Sequence, residues 1–319
     1  MKTLDEVIRR FVRRSNRIFS SPERDRLVER QLLLQCLMAA KMNRNLARIN
    51  ALADVEFSGF SQWGEDGIID WLVEKLPQIP RTFVEFGVEN YSESNTRLLL
   101  KLRNWRGLVL DGSNEHIASI MRESIYWQYN LTAKCAFIDC ENVNNLIDHG
   151  GMSGEIGLLS IDIDGNDYWV WQSISVVKPI IIVTEYNAVL GDLRRLAVPY
   201  QANFRRTIAH HSNLYFGASL AALIELGYRK GYTFIGTNTN GCNAFFVRNE
   251  FAHGLLQSID KVLSCPSVFR ESRNEINQLT FTSGTSRLKE ISHLPVYDFD
   301  TNTLRPLSEL GELYSEKWK

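Results

Sequence analysis

The chain has 319 residues, with 36 Lys plus Arg against 37 Asp plus Glu, a formal charge of −1, and 44% apolar residues. This composition excludes wholesale disorder, and the balanced charge argues against binding nucleic acid through a generally basic surface. There is no run of about 18 apolar residues for a membrane span, no signal-peptide core in MKTLDEVIRRFVRRSNRIF, and no CxxC pair among Cys36, Cys135, Cys140, Cys242 and Cys265, so a cytoplasmic protein is expected.

Residues 1–57 read as a helical extension of two helices. In the second, Val28, Leu32, Leu33, Cys36, Leu37 and Met42 recur at helical spacing, and SSPERDR reads as its start, with Ser21 as cap and Pro22 and Glu23 in the first turn. This extension is expected either to cap the same subunit or to serve as a homodimer arm.

Residues 58–250 change texture. Apolar runs at 82–87 (TFVEFG), 107–112 (GLVLDG), 135–139 (CAFID), 156–164 (IGLLSIDID), 180–187 (IIIVTEYN), 232–236 (YTFIG) and 243–248 (NAFFVR) read as seven strands. Helical stretches alternate with them: SNTRLLLKLRNW, NEHIASIMRESI, DYWVWQSI and SLAALIELGYRKG. Near-continuously apolar strands in such an alternation predict a mostly parallel sheet covered on both faces. The link from Thr237 to Cys242 is too short for a crossover helix, so the last two strands form a terminal antiparallel hairpin. Residues 251–319 read as a C-terminal extension packed on this α/β core, with a helical run (HGLLQSIDKVL) and a short helix (ESRNEINQLT).

Ligands of an open α/β sheet bind beyond the carboxyl ends of the strands. The first strand ends at Glu85-Phe86-Gly87, where Gly87 permits close approach to the backbone, and Ser92, Ser94 and Asn95 are candidate caps or hydrogen-bonding groups. Only one glycine is present, and Glu89 and Glu93 would repel a diphosphate, so a cationic or neutral nucleoside fits better than a dinucleotide. Asp111, at the end of the second strand, suits the hydroxyls of a ribose, with helix capping as the alternative. Asp139, at the end of the third, is a candidate adenine-edge position.

The fourth strand is the most informative. In SIDIDGND, Asp162 and Asp164 stand at period 2, about 6–7 Å apart if the strand persists, and Asp167 follows. Glu185 and Asn187 end the fifth strand. Oxygen ligands of this kind suit Mg²⁺, Mn²⁺ or Ca²⁺, with a general base or simple capping as the other readings. The connection 198–219 is longer than usual and holds Tyr200, Arg205, Arg206, His210, His211 and Tyr215, a mixture suited to a substrate pocket in which one histidine acts as base. Upstream, SQWGEDGI places Trp63 where it could close over the first strand's loop or anchor a helix.

SQWGEDGI, FVEFGVENYSESNTRLLL, WRGLVLDG, LLSIDIDGNDYWVW and EYN together resemble class I S-adenosylmethionine-dependent methyltransferases, and among them the FkbM-type O-methyltransferases associated with bacterial surface polysaccharides. The resemblance implies a Rossmann-like methyltransferase fold with S-adenosyl-L-methionine as cofactor. It implies cofactor contacts from Glu85, Gly87, Ser94, Asn95, Asp111 and Asp139, and an Mg²⁺ or Mn²⁺ site at Asp162, Asp164, Glu185 and Asn187. Catalytic roles fall to Asp162 and to His210 or His211, and contacts to a small-molecule or glycan substrate to Asp167, Tyr200, Arg205 and Tyr215. The sequence departs from the family's glycine-rich first motif: Val88, Glu89, Asn90 and Tyr91 follow Gly87. Two other readings stand beside this one. They are a different metal-dependent enzyme acting on a nucleotide sugar, and a non-catalytic subunit of a glycan assembly system.

Overall fold

A computed structural model describes residues 22–76 and 78–319. The first expected N-terminal helix and the Ser21 cap lie outside the described residues. Helix α1 (Pro22–Arg44) and helix α2 (Glu65–Lys75) precede the sheet. Strands β1 (Thr82–Phe86), β2 (Arg106–Asp111), β3 (Leu131–Cys135), β4 (Gly154–Ile161) and β5 (Val177–Glu185) then alternate with helices α3 (Arg97–Arg103), α4 (Asn114–Arg122), α5 (Val143–His149) and α6 (Asp167–Ser173). After the two-residue strand β6 (Leu196–Ala197) come α7 (Leu220–Arg229), β7 (Tyr232–Thr237), β8 (Asn243–Arg248) and α8 (Asn249–Leu256), and near the end β9 (Pro295–Asp298) and β10 (Thr303–Pro306).

Seven strands form one sheet in the order β3-β2-β1-β4-β5-β8-β7. β1 to β5 are parallel, β8 runs antiparallel to β5, and β7 pairs antiparallel with β8. This is the expected Rossmann-like class I methyltransferase fold. The period-2 alternation of side chains divides the core between the two faces. Val84, Leu110, Leu159, Ile182 and Phe246 belong to one apolar cluster, and Phe83, Val109, Leu158, Ile181 and Phe245 to the other. Parallel strands covered by helices on both sides require the unbroken apolar runs seen in LLSI and IIIVT.

Three elements differ from expectation. β3 lies at Leu131–Cys135, one strand-length before the CAFID run, because Leu131 and Ala133 supply its inward face in register with β2. Residues 136–139 are left as loop. The helix expected over 253–263 ends at Leu256. The helix expected over 271–280 is absent: the Asn274 side chain accepts from Ile276 N and Gln278 N, and a bridge joins Arg273 to Leu279. Asparagine competes with helix formation through such local bonds. A small sheet, β10-β9-β6, was not expected.

Helix α1 is held at its end by a buried carboxylate: Asp70 pairs with Arg44 at 3.0 Å and with Arg103 at 2.7 Å. Leu307, Leu310, Leu313, Tyr314 and Trp318 join the cluster that contains Leu159 and Ile182, so residues after 300 pack into the main core. Among the described residues no helix is long and apolar enough to cross a membrane.

The SQWGED segment has a clear physical role. Glu65 is buried and accepts from Trp63 N and Gly64 N (both 3.0 Å), Asn238 Nδ2 (2.7 Å) and Asn243 Nδ2 (2.9 Å). Asp66 accepts from the amides of Gly59, Phe60 and Ser61. The segment is thereby tied to the β7–β8 hairpin, with Trp63 facing the cleft described below. Glu65→Ala leaves four donors without their acceptor and is expected to lower stability by about 3 kcal/mol. A denaturant-unfolding midpoint equal to that of the parent chain would refute this role.

Candidate functional site

A cleft of about 450 Å³ opens beyond the carboxyl ends of β1, β2, β4 and β5. Its first wall is the loop after β1. Gly87 has φ +72°, and a Cβ there would lie 1.6 Å from the carbonyl oxygen of Asp162, so only glycine fits. Glu89 (φ +47°) and Tyr91 (φ +64°) are also left-handed. Alternate residues of the loop therefore keep the backbone conformation of a glycine-rich turn without the glycines, at a conformational cost of about 1 kcal/mol or more each. Hydrogen bonds offset that cost. Glu89 N donates to Asp111 Oδ2 at 2.8 Å, Tyr91 N to Val88 O at 2.7 Å, and the buried Tyr91 hydroxyl bonds Thr96 Oγ1 at 2.9 Å.

Glu85, Ser94, Asn95 and Asp111 line this cleft, as does Gly87. Glu85 is buried and accepts from Asn95 N (2.8 Å) and the Thr96 hydroxyl. Burial pushes its pKa up to about 7, against the opposing pull of the Thr96 and Asn95 hydrogen bonds. Ser94 Oγ accepts from Thr96 N and Arg97 N, and Asn95 Nδ2 donates to Ser160 Oγ. Asp111 accepts from Glu89 N and Ser113 N and bonds His116 Nδ1 at 3.1 Å. Asp139 is a correction. It accepts from the amides of Glu141 and Asn142 at the start of α5 and does not line the cleft; Phe137 and Ile138 do.

The floor is acidic. β4 ends at Ile161, and a turn with Asp164 at φ +55° follows, so the strand period is not what unites the acids. The turn still brings one carboxylate oxygen each of Asp162, Asp164 and Glu185 within 4.8 Å of one another. Glu185 Oε2 is buried and has no hydrogen-bond partner among the described residues. Withdrawal from water, then repulsion by Asp164 and Asp167, raises the Asp162 pKa well above the ordinary range, with Arg206 opposing. Glu185 is raised by the same withdrawal and then by Asp162.

Several expected residues serve the scaffold instead. Asn187 is no ligand: its amide donates to Leu214 O and Phe216 O, and its Oδ1 accepts from Val189 N. Asp167 is buried and holds the turn through the amides of Ile163 and Gly165, both at 2.9 Å. The Tyr200 hydroxyl donates to Glu141 and accepts from Cys140 N, and Tyr215 donates to Pro295 O. His210 and His211 line neither this cleft nor the chamber beside it. Their rings stack at 4.1 Å, and His210 Nδ1 bonds Ser212 Oγ.

Glu271 is the cleft residue that sequence reasoning passed over, and Arg206 stands out in the sequence only as one of the mixed side chains of 198–219. Arg206 Nη1 donates to Asp164 Oδ1 at 2.8 Å, Nε donates to Asn213 O at 2.7 Å, and the guanidinium lies 3.9 Å from the Phe216 ring centre. Glu271 stands 4.0 Å from Arg206. Of two adjacent arginines in 198–219, only the fold decides which turns inward. Glu271 comes from a segment that reads as helix, and it has no signal of its own.

Glu85, Asp66 and Asp167 share one consequence. Burial raises their pKa values to about 7, 6 and 6, above the ordinary carboxyl range near 4. The folded chain thus holds protons that the unfolded chain releases. Stability from these groups is full below about pH 4 and is lost as pH rises through about 7. The ligand-free protein is expected to melt at a lower temperature at about pH 7.5 than at about pH 5; a scan that rises across this window would contradict the assignment.

No family model matches the chain, and no curated protein matches it. Among solved structures it is similar to the N-terminal domain of EvdMO1 with SAH bound, at 12% identity and a TM-score of 0.38, over 70% of this chain and 96% of that one. It is also similar to an S-adenosylmethionine-dependent methyltransferase from Clostridium acetobutylicum (10% identity, TM-score 0.37, 58% and 90% coverage). A third is an O-methyltransferase family protein from Burkholderia thailandensis (9% identity, TM-score 0.36, 58% of each chain). At these identities and scores the likeness assigns no activity to the chain.

Proposed function

We propose that the chain is an S-adenosylmethionine-dependent O-methyltransferase of the FkbM-like branch, assisted by Mg²⁺ or Mn²⁺ and acting on a hydroxyl of a sugar or glycan precursor. The observation that carries this reading is the convergence of Asp162, Asp164 and Glu185 at the end of the cleft, with Glu185 Oε2 buried and unpartnered. The residues fit both groups. Three carboxylates on one side suit a hard divalent cation, which would satisfy the orphaned oxygen. Glu89, Glu93 and Asp111 give the cleft a negative lining, which favours a sulfonium and an ammonium over a diphosphate.

In this reading the loop at Gly87, with Asn95 and Asp111, holds the cofactor, whose sulfonium supplies an activated methyl group. Asp162, Asp164 and Glu185 would hold a divalent cation, which would supply Lewis acidity toward the acceptor hydroxyl. Arg206 keeps Asp164 oriented. Trp63, 36% exposed and edge-on to Phe269 at 5.9 Å, limits water at the mouth. Alignment of an in-line attack is the main task left to the protein. The same reading makes the chain cytoplasmic and assigns a homodimer contact to α1, which leaves Leu34, Met38 and Met42 exposed.

The test is calorimetric titration with S-adenosylhomocysteine, with and without Mg²⁺ or Mn²⁺. Saturable one-site binding is expected. Folded protein that binds the metal alone supports a different metal-dependent enzyme, a reading to which the bulk at Glu89 and Tyr91 lends weight. Binding of neither supports the non-catalytic subunit.

A further inference from the structure

A second chamber of about 420 Å³ adjoins the cleft, sharing Phe137, Asp164, Phe204, Arg206 and Glu271 with it. Its electrostatics differ from those of the first. Its acids, Asp164 and Glu271, are both compensated. Asp164 takes a 2.8 Å bond from Arg206, and Glu271 has Arg206 at 4.0 Å, Arg273 at 3.2 Å and the Asn213 amide at 3.5 Å. Among the described residues the Arg205 side chain, in contrast, has no hydrogen-bond or ion-pair partner; its guanidinium lies 5.6 Å from the ring centre of Phe137. Thr207 and Ser113 add hydroxyls to the same wall. Phe137, 41% exposed, presents an aromatic face.

We propose that this chamber binds the acceptor through an anionic group, a carboxylate or phosphate carried on a sugar ring, with Arg205 as its counter-ion. The inference rests on the methyltransferase reading and narrows its substrate class. The two chambers sort charge between them. An anion is repelled from the acid-lined cleft and held at the uncommitted guanidinium, which leaves the ring against Phe137 and directs its hydroxyls toward Asp162 and Glu185. Orientation by opposed charge gives register as well as affinity. A guanidinium also binds carboxylate and phosphate oxygens in a fixed fork geometry, which a neutral sugar cannot exploit.

The test compares methyl glucuronoside, glucose 6-phosphate and neutral methyl glucoside by calorimetry on the full chain with Mg²⁺, with and without S-adenosylhomocysteine. At least one anionic sugar is expected to bind about tenfold tighter than the neutral one. Whichever of the two anions does so identifies the group. Arg205→Gln is expected to erase that preference while affinity for S-adenosylhomocysteine stays unchanged. The proposal is overturned if the neutral sugar binds equally well, if no anionic sugar binds, or if the preference survives in Arg205→Gln. An equal loss of S-adenosylhomocysteine binding in that variant also overturns it, because Arg205 then serves the cofactor. Failure of the parent chain to bind S-adenosylhomocysteine sinks the methyltransferase reading instead, whatever the sugars do.

Discussion

Under the proposed function, Asp162→Asn and Glu185→Gln are each expected to weaken Mn²⁺ binding and to slow methyl transfer by at least about a hundredfold, while the ligand-free protein becomes more stable. The two effects have one cause. Both carboxyls are partly withdrawn from water and repel each other, so both pKa values are raised. A raised carboxyl pKa means that ionisation at neutral pH costs folding free energy, and the neutral amide removes that cost without changing shape. The same ionised pair is what a divalent cation needs. Thermal unfolding at neutral pH and Mn²⁺ titration on the same samples check both halves. Unchanged Mn²⁺ affinity would remove these residues from the metal site. Failure of both variants to fold would make the acids structural.

The loop after β1 should respond in opposite directions at two positions. Gly87→Ala forces a Cβ to within 1.6 Å of a backbone carbonyl at φ +72°. No side-chain movement relieves that overlap, so β1 and the turn after β4 must part. A loss of about 3 kcal/mol or more is expected, together with loss of S-adenosylhomocysteine binding. Glu89→Gly, at φ +47°, is expected to gain about 1 kcal/mol. The side chain it removes only lines the cleft, whereas its amide bond to Asp111 remains. Denaturant unfolding of the two variants decides this. Equal destabilisation would show that the Glu89 carboxylate contributes more than its backbone conformation costs.

The pair also marks a boundary of what could be read. The missing glycines at 89 and 91 look like a broken motif in the sequence. The folded chain keeps the left-handed backbone there and stabilises it with Asp111 and Thr96, partners 22 and 5 residues further on. A motif written in residue types does not register a conformation held by tertiary hydrogen bonds.

The strands themselves were legible because burial on both faces leaves a strong local signal, and the short 237–242 link dictated an antiparallel hairpin. CAFID reads as the third strand, but pairing with β2 places β3 at Leu131–Cys135, with Leu131 and Ala133 buried. The nearness of Asp162 to Glu185 was legible for a topological reason, because the adjacent parallel strands β4 and β5 end side by side, whereas Asp164 joins them only through the turn after β4. Asn187 and Asp167 carry equally suitable atoms, but neighbouring backbone groups consume them, and no spacing rule anticipates that.

The amino-acid sequence by itself determined the alternation of strands and helices, the parallel sheet with its reversed edge, and the acid cluster at its carboxyl end, because periodicity and chain connectivity are local properties. Only the tertiary structure decided that His210 and His211 stand outside the cleft, that Arg206 and Glu271 face it, and that the Arg205 side chain has no ion-pair partner among the described residues. Those outcomes depend on which groups saturate one another's hydrogen bonds across more than forty residues of chain, as Asp164 and Arg206 do.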